Sequence, residues 1–157
     1  MDISIRKASD SDLKLIQEFG SRLLNFEREN YDSSLDSNWA FSDEAKAKYL
    51  VAIRERYVII AELDGRAVGF LIGSVATPKP GNARPIKQAM LQNIYVDSSQ
   101  RGIGVGKRLV EEFKAYCKGE NVDRINVSVM AANKVAISMY EKVGFSPRSI
   151  NLAMELT

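Results

Sequence analysis

The stretch from Ile94 to Lys107 joins an apolar run to a glycine-rich turn, a pattern that can bind an anion. Ile94, Tyr95 and Val96 are typical of the end of a buried strand, and three glycines at alternate positions follow in 101–107, RGIGVGK. Glycine lets the backbone approach a ligand closely because it has no Cβ. The N–H groups of the next helix's first turn point at such a ligand, helped by the helix dipole. The stretch therefore predicts a phosphate or pyrophosphate site.

Two common nucleotide-binding motifs do not fit this glycine turn. The P-loop needs Ser or Thr after Gly-Lys, but Arg108 follows Gly106-Lys107, and Arg101 stands where its first glycine belongs. The Rossmann spacing Gly-x-Gly-x-x-Gly does not match glycines at 102, 104 and 106. That motif also belongs to a first βα unit and not to the last third of a chain. The anion is therefore held by some other loop type.

The absence of histidine restricts the chemistry of any active site. It excludes Ser-His-Asp and Cys-His catalysis. The one cysteine, Cys117, lies on the inner face of a predicted helix, so we expect a buried, inert thiol and no acyl-cysteine intermediate. With one thiol and scattered carboxylates, the sequence disfavours a zinc site. Orientation, backbone electrostatics and a tyrosine or carboxylate are the remaining means of catalysis.

Length and charge indicate one ordinary globular domain spanning 1–157. The chain has 22 basic and 20 acidic residues, which argues against a dedicated nucleic-acid binder. It has no apolar run long enough for a membrane span, and its N-terminus lacks a secretory hydrophobic region. A single cysteine fits a reducing compartment. We therefore expect a cytoplasmic protein with neither a membrane nor a nucleic-acid partner.

Apolar periodicity predicts an α/β domain around a mixed sheet, in the order β-α-α-β-β-β-α-β-α-β. Asp64-Gly65 predicts a tight hairpin between two of the strands. The proline-containing stretch 77–87 predicts a loop. The predicted strands lie at 3–5, 57–63, 67–76, 89–96, 125–129 and 150–156, and the predicted helices at 13–26, 42–54, 104–118 and 133–143.

Two motifs resemble the signatures of the GCN5-related N-acetyltransferase (GNAT) superfamily. Arg101-x-x-Gly104-x-Gly106 is similar to the family's Arg/Gln-x-x-Gly-x-Gly/Ala signature. About thirty residues downstream, Asn133, Ala136, Tyr140 and Gly144-Phe145 follow the order of its second signature. The close resemblance covers roughly Met90 to Phe145, and the N-terminal layout is compatible with the family.

The resemblance implies a single-domain GNAT fold with a V-shaped splay between central strands, and acetyl-CoA as co-substrate without a metal. Tyr140 would be the general acid that protonates the leaving thiolate. The main chain of Ile94, Tyr95 and Val96 would pair with the pantetheine arm, with an N–H of Ile94 or Tyr95 at the oxyanion. Asn133 would also bind pantetheine. The backbone N–H groups holding the pyrophosphate would be those of Arg101, Gly102, Ile103, Gly104, Val105, Gly106 and Lys107.

The general base stays open, because two positions that carry a glutamate in branches of the family hold Met90 and Ser128 here. Ordered water, or a carboxylate such as Glu27 or Glu29, could relay the proton. The missing carboxylates also motivate an alternative, a catalytically inactive acyl-CoA-binding sensor or regulatory module. A nucleotide binder that does not use CoA is a third hypothesis.

The acceptor is expected to be a small-molecule or peptide amine. In the family, the segment between the first two helices walls the acceptor site, and here 25–44 contains six acidic residues and one arginine. Such a rim suits a cationic amine through charge attraction and cation–π contact. A solvated acidic loop is the open alternative. The family resemblance is also compatible with a homodimer. The candidate acceptor residues are Glu27, Glu29, Tyr31 and Trp39.

Overall fold

A computed structural model describes residues 1–156. Within these residues the elements follow the predicted order except at the C-terminal end. The strands are β1 Ile3–Lys7, β2 Tyr57–Leu63, β3 Arg66–Ala76, β4 Gln88–Val96 and β5 Arg124–Val127. The helices are α1 Leu13–Asn30, α2 Asp43–Glu55, α3 Val105–Gly119 and α4 Lys134–Lys142. A 3-10 helix at Ser37–Phe41 joins α1 to α2.

The five strands described form one mixed sheet in the order β1-β2-β3-β4-β5. The first four strands are antiparallel and β5 is parallel to β4, so the predicted fold class is confirmed. The Asp64-Gly65 turn joins β2 to β3 with positive φ at both residues, 50° and 79°, as a type I′ hairpin requires.

Helices cover both faces of the sheet. On one face, α1 and α2 enclose an apolar cluster in which Phe19 stacks on Phe70 at 5.9 Å between ring centres. On the other face, α3 buries Leu109 and Phe113 against the strands. Gly73 of β3 faces Phe113, whose ring leaves no room for a Cβ there. The sheet is thus held rigidly between two packed layers.

The central strands diverge after four paired residues. β4 pairs with β5 only from Gln88 to Leu91, opposite Arg124 to Val127. β5 then ends, whereas β4 continues to Val96, which opens the V-shaped splay that the family resemblance implied. A bulge precedes the open part, because Leu91 pairs with Gly73 and Asn93 with Ile72, so that Gln92 has no partner on β3.

The predicted strand at 150–156 is wrong, because residues 146–156 have no regular structure. Its four apolar side chains (Ile150, Leu152, Met154 and Leu156) are 82–90% exposed. The alternating pattern is that of a strand, but a strand needs a neighbour for its backbone hydrogen bonds. Within the described part of one chain this segment has none.

Helix α1 includes the first part of the acidic segment 25–44. Helix α1 extends to Asn30, about one turn beyond the predicted end at Phe26. Glu27, Arg28 and Glu29 favour helix, so they continue it although the apolar periodicity fades. Glu27 and Glu29 therefore lie on a helix and not in a loop. No helix of residues 1–156 is long and apolar enough to cross a bilayer.

Candidate functional site

The open end of β4 presents the main chain of alternate residues to the splay. The N–H of Asp97 donates to the Val68 carbonyl oxygen of β3 at 2.8 Å. The Tyr95 carbonyl oxygen also faces β3, since it would lie 2.6 Å from a Cβ placed on Gly69. Successive residues of a strand direct their polar groups to opposite neighbours. Ile94 and Val96 therefore turn their N–H and C=O groups into the splay, whereas those of Tyr95 face β3.

The glycine turn leads into a helix whose first N–H groups have no side-chain cap. Gly102 and Gly104 have φ of 80° and 95°, a conformation that favours glycine. Gly104 is the N-cap of α3, and no side chain caps this helix end. The first turn, beginning at Val105, therefore leaves its N–H groups uncapped beside the open end of β4, an arrangement that suits an anion.

The side chain of Arg101 points away from this anion site. Its Nε donates to the Val96 carbonyl oxygen at 2.9 Å. Its guanidinium lies 4.8 Å from the Phe26 ring centre and 5.7 Å from that of Tyr95. These contacts tie the end of β4 to α1, on the opposite side of the sheet from α3. The glycine motif predicted the loop but carried no signal for this orientation.

Tyr140 combines a buried ring with an accessible hydroxyl. The residue is 6% exposed, and its ring packs edge-to-face on Phe145 at 5.4 Å. In residues 1–156 every fully buried side-chain oxygen has a hydrogen-bond partner, whereas the Tyr140 hydroxyl forms no hydrogen bond there. The hydroxyl of Tyr140 is therefore not fully buried. Burial raises the pKa of Tyr140 to about 12. The hydroxyl therefore keeps its proton throughout the neutral range.

Asn133 caps the helix that carries Tyr140. Its Oδ1 accepts a hydrogen bond from the Ala136 N–H at 3.1 Å. The cap uses only this oxygen, so the amide NH₂ can still donate to a ligand. Asn133 and Tyr140 are seven residues apart, about two turns, so they lie on the same side of α4. The cap therefore leaves room for the pantetheine contact that the family resemblance implies for Asn133.

No carboxylate occupies the two positions where branches of the family carry one. Met90 lies on β4 opposite Asn126 of β5, and Ser128 directly follows β5.

Cys117 is 1% exposed, and burial raises the pKa of its thiol to about 11. A thiol in that state is a poor nucleophile near neutral pH. The residues at hand therefore favour direct attack on a bound acyl group over an acyl-cysteine route.

The predicted acceptor residues divide between two places. Glu29 lines a cavity of about 410 Å³ together with Phe26 and Arg101. Asn25 Nδ2 donates to Glu29 Oε1 at 3.0 Å. Tyr31 contacts the ring of Phe26 edge-on, with centres 5.8 Å apart. The cavity therefore brings Glu29 near the end of β4, with Tyr31 packed behind Phe26.

Trp39 belongs to a different group of contacts. Its ring packs on Tyr49 at 6.3 Å, its Nε1 donates to Glu44 at 3.4 Å, and Lys48 Nζ lies 5.4 Å above it. The structure thus places Trp39 against α2 and already supplies a cation for its ring. The cavity beside Glu29 also contains a second cation that no sequence motif predicted, Arg22, whose Nη1 contacts Asp97 Oδ1 at 2.8 Å.

Glu27 continues the inner stripe of α1. Ile16, Gly20 and Leu23 precede it at three- and four-residue spacing, which places all four on the side facing the protein. Burial raises the pKa of the Glu27 carboxyl above its ordinary value. A half-buried carboxylate at the end of an apolar stripe is a stronger proton acceptor than an exposed one.

Comparison with known proteins identifies the architecture around this splay. Residues 20–145 match the family model described as "Acetyltransferase (GNAT) family". The chain belongs to the GNAT acetyltransferases. The N-acetyltransferase MJ1207 of Methanocaldococcus jannaschii is 24% identical over 148 residues, which cover 94% of this chain and 62% of that protein. The mycothiol acetyltransferase of Thermobispora bispora is 29% identical over 93 residues, which cover 59% of this chain and 31% of that enzyme. The chain thus spans less than two thirds of the length of these relatives.

Solved structures show the same GNAT fold. A mutant of the BH1408 protein from Bacillus halodurans superposes with a TM-score of 0.88 at 18% identity, covering 98% of this chain and 99% of that one. The PaiA N-acetyltransferase of Thermoplasma acidophilum, solved in complex with coenzyme A, superposes with a TM-score of 0.78 at 23% identity, covering 96% and 94%. At these identities the likeness establishes the fold alone.

Proposed function

We propose that this GNAT acetyltransferase transfers an acetyl group from acetyl-CoA to a primary amine by direct attack. One observation carries the proposal. The open edge of β4 at Ile94 and Val96 runs directly into the turn before the uncapped N-terminus of α3. A polar edge followed by an anion site fits a ligand with an amide-containing arm joined to a pyrophosphate, as CoA has. The likeness to a relative that binds coenzyme A supports the same assignment.

Three groups of this chain would hold the co-substrate. The N–H groups of Val105, Gly106 and Lys107 would bind the pyrophosphate, with the turn from Arg101 to Gly104 adding main-chain contacts. Ile94 and the N–H of Val96 would pair with the pantetheine arm as an added strand does, whereas the Val96 carbonyl oxygen already accepts from Arg101. The amide NH₂ of Asn133 would donate to the same arm. The main chain of Tyr95 faces β3 and would not pair with the pantetheine arm, and its buried ring packs on Phe19.

The reaction needs an oxyanion donor and a proton for the leaving thiolate. When the amine attacks the thioester carbonyl, charge develops on the oxygen, and the N–H of Ile94, which turns into the splay, would stabilise it. The thiol has a pKa near 8.5, well below the value of about 12 for Tyr140. Tyr140 would therefore stabilise the thiolate first by a hydrogen bond. Attack forms the C–N bond, and collapse of the tetrahedral intermediate breaks the C–S bond. The amine loses one proton and the leaving thiolate takes up one, so the transfer is balanced.

The acceptor would be a small cationic amine or the amine of a peptide. The Glu29 carboxylate in the cavity beside β4 provides the charge, and Glu27 lies two positions before it on α1. Tyr31, which packs on Phe26, would contribute aromatic surface, whereas Trp39 lies in a separate group of contacts with α2. Arg22 and Arg101 in the same cavity add positive charge, which would suit an acceptor with an anionic group away from its reacting amine.

A thiol-release screen tests the proposed transfer. The protein is mixed with acetyl-CoA and polyamines, amino sugars, amino acids or short peptides, and free CoA is measured with a thiol reagent. We expect amine-dependent release above the rate without protein, and mass spectrometry should show an acetylated product. Tight acetyl-CoA binding by calorimetry, with no release across all four classes, would contradict the proposal and favour the sensor.

We expect Glu27→Gln to lower kcat/KM about tenfold to a hundredfold, because general base catalysis typically contributes at least that much. The carboxyl has a raised pKa, so in the wild type the rate should rise with pH as Glu27 deprotonates. In Glu27→Gln this rise should disappear. A raised folded-state pKa also means that ionisation costs stability as pH rises, so the variant should not be less stable at neutral pH.

Glu29→Gln is the matched control for this experiment. Glu29 is exposed and accepts a hydrogen bond from Asn25, so it should change KM for the amine more than the pH profile. A Glu27→Gln enzyme that keeps the wild-type pH profile would assign the proton relay to water.

A further inference from the structure

The cavity between α1 and the open end of β4, which we call the α1 cavity, contains a cluster of hydrogen-bond donors. Its volume is about 410 Å³. It is lined by two guanidinium groups, those of Arg22 and Arg101, and by the hydroxyls of Ser21, Ser37 and Ser98. Guanidinium and hydroxyl groups both donate hydrogen bonds, so this lining suits an oxyanion.

Arg101 has a fixed guanidinium with unused donors. Its Nε donates to the Val96 carbonyl oxygen, whereas its Nη1 and Nη2 form no hydrogen bond or ion pair within residues 1–156. The guanidinium lies within cation–π distance of two rings, 4.8 Å from the centre of Phe26 and 5.7 Å from that of Tyr95. These contacts hold the planar fork in place, so less side-chain entropy is lost when it binds a ligand. Two parallel N–H groups of such a fork match a carboxylate.

The acidic groups at the α1 cavity already have partners. Asp97 Oδ1 contacts Arg22 Nη1 at 2.8 Å, which neutralises that guanidinium. Glu29 Oε1 accepts a hydrogen bond from Asn25 Nδ2 at 3.0 Å, and no carboxylate of the described residues forms an ion pair with Arg101. Arg101 therefore carries an unpaired positive charge. One such charge near two carboxylates favours a single negative charge on the ligand, so a carboxylate fits better than a doubly charged phosphate.

The α1 cavity and the splay share the open end of β4. The Tyr95 ring packs in the α1 layer and lines the cavity, whereas Ile94 and Val96 pack in the α3 layer. Because β5 ends at Val127, no strand of residues 1–156 covers this edge of β4. Val96, which Arg101 contacts, lies two residues from Ile94, a separation of about 7 Å along a strand. A ligand held at Arg101 therefore reaches the thioester only if its amine and its oxyanion are about that far apart.

We propose that the α1 cavity binds the carboxylate of an ω-amino acid, whose reacting amine lies about five or six bonds from the carboxyl carbon. The proposal rests on the proposed acetyl transfer. Each bond of about 1.5 Å advances an extended chain by about 1.2–1.3 Å, so this span matches the separation of Val96 and Ile94. The side-chain amines of basic amino acids have the same span, whereas an α-amine is too close to its carboxylate. The carboxylate does not react: the amine forms the amide C–N bond, the C–S bond of acetyl-CoA breaks, and the thiolate takes up the proton that the amine loses.

Thiol release with matched acceptors tests the role of the carboxylate. We compare 6-aminohexanoate with 6-aminohexanamide, which has the same length but no negative charge. We expect kcat/KM to be about tenfold to a hundredfold higher for the acid, because a hydrogen bond between charged groups is about twice as strong as a neutral one. Glycine, whose amine and carboxylate are close together, should have a kcat/KM at least about tenfold below that of 6-aminohexanoate, because it cannot place both groups at once.

Arg101→Gln tests the assignment to the α1 cavity. It should bring the ratio of kcat/KM for the acid to kcat/KM for the amide close to one. The ratio is the readout because a loss of stability or of CoA binding lowers both values together, and calorimetry with CoA reports separately on the glycine turn. Lys14→Gln is the matched control. Lys14 is an exposed cation of α1 that does not line the cavity, so this variant should keep the wild-type ratio.

Equal kcat/KM values for the acid and the amide in the wild type would overturn the proposal, as would a ratio that persists in Arg101→Gln. A higher kcat/KM for 3-aminopropyl phosphate than for 6-aminohexanoate would also overturn it, in favour of a phosphate. If no amine releases thiol, the acetyl transfer itself is wrong. Calorimetry with 6-aminohexanoate then decides on the carboxylate site alone: binding at least about tenfold weaker in Arg101→Gln supports it, and equal binding overturns it.

Discussion

Tyr140→Phe is expected to lower kcat about a hundredfold or more while leaving the affinity for acetyl-CoA nearly unchanged. General acid catalysis typically contributes about 10²–10⁴-fold, and this substitution removes the hydroxyl alone. The ring packing on Phe145 stays, because phenylalanine has the same ring. Stopped-flow or steady-state thiol release measures kcat, and calorimetry measures CoA affinity. Loss of CoA affinity in parallel with kcat would indicate a packing role.

Tyr116→Phe provides the matched control for Tyr140. Tyr116 is partly buried near the C-terminal end of α3, where its ring stacks on Tyr57 with centres 3.9 Å apart. Removing its hydroxyl should leave kcat unchanged within a factor of about two, since surface changes away from the site usually have small effects. If both variants lost activity equally, the effect would not report on the Tyr140 hydroxyl.

The raised pKa of Tyr140 should also appear in the pH dependence of the free energy of unfolding. An ordinary tyrosine ionises near 10, whereas burial raises the pKa of Tyr140 to about 12. The unfolded chain therefore releases this proton first as pH rises. The stability linked to the protonated form is present below pH 10 and is lost between pH 10 and 12, about 2–3 kcal/mol for two pKa units. Tyr140→Phe should remove that part of the alkaline destabilisation.

Gly104→Val is expected to weaken acetyl-CoA binding about a hundredfold. Gly104 has a φ of 95° at the N-cap of α3, and an L-residue in such a conformation costs about 1–2 kcal/mol, with more for a β-branched side chain. No atom lies within 4 Å of a Cβ at this position, so the cost is conformational and not a clash. The turn should relax to negative φ, which redirects the N–H groups of the first turn of α3. Calorimetry with CoA measures the loss.

Gly119→Ala is the control for Gly104→Val. Gly119 is the last residue of α3 and also has no atom within 4 Å of a Cβ, but it lacks a positive φ. Alanine should therefore be accepted there, with unchanged CoA affinity and stability equal to or slightly above the wild type. If Gly104→Val bound CoA as the wild type does, the anion site would not depend on the geometry of this turn.

Local patterns in the sequence predicted most of the fold. Alternation and three- to four-residue spacing predicted the strands and helices because they report which side chains meet the core. The Asp64-Gly65 turn was predictable since few residues adopt its backbone angles. The C-terminal strand failed for a related reason. Its pattern is correct for a strand, but no strand lies beside it in the described structure, so its backbone groups have no partner.

The candidate site was only partly predictable. The motifs identified the glycine turn, Asn133 and Tyr140, because their roles depend on local backbone geometry. The orientation of Arg101 toward Phe26 and the separation of Trp39 from Glu29 follow from how α1 and α2 lie on the sheet. No spacing along the chain encodes those contacts, so only the three-dimensional structure gives them.

The unpaired residue at Gln92 decides which peptide groups a ligand can reach. Even-numbered residues of β3 face β4, as Val68 does when its carbonyl oxygen accepts from the Asp97 N–H. Before Gln92, even-numbered residues of β4 lie opposite them, Met90 opposite Ser74 and Gln88 opposite Ala76, and therefore direct their polar groups to β3. After it, odd-numbered residues do so, as Asp97 shows. One additional residue thus exchanges the two sets of alternate residues of β4, those whose peptide groups face β3 and those whose peptide groups face the splay. Without it, Ile94 and Val96 would use their hydrogen-bonding capacity on β3, and the splay would offer a ligand the opposite set of peptide groups.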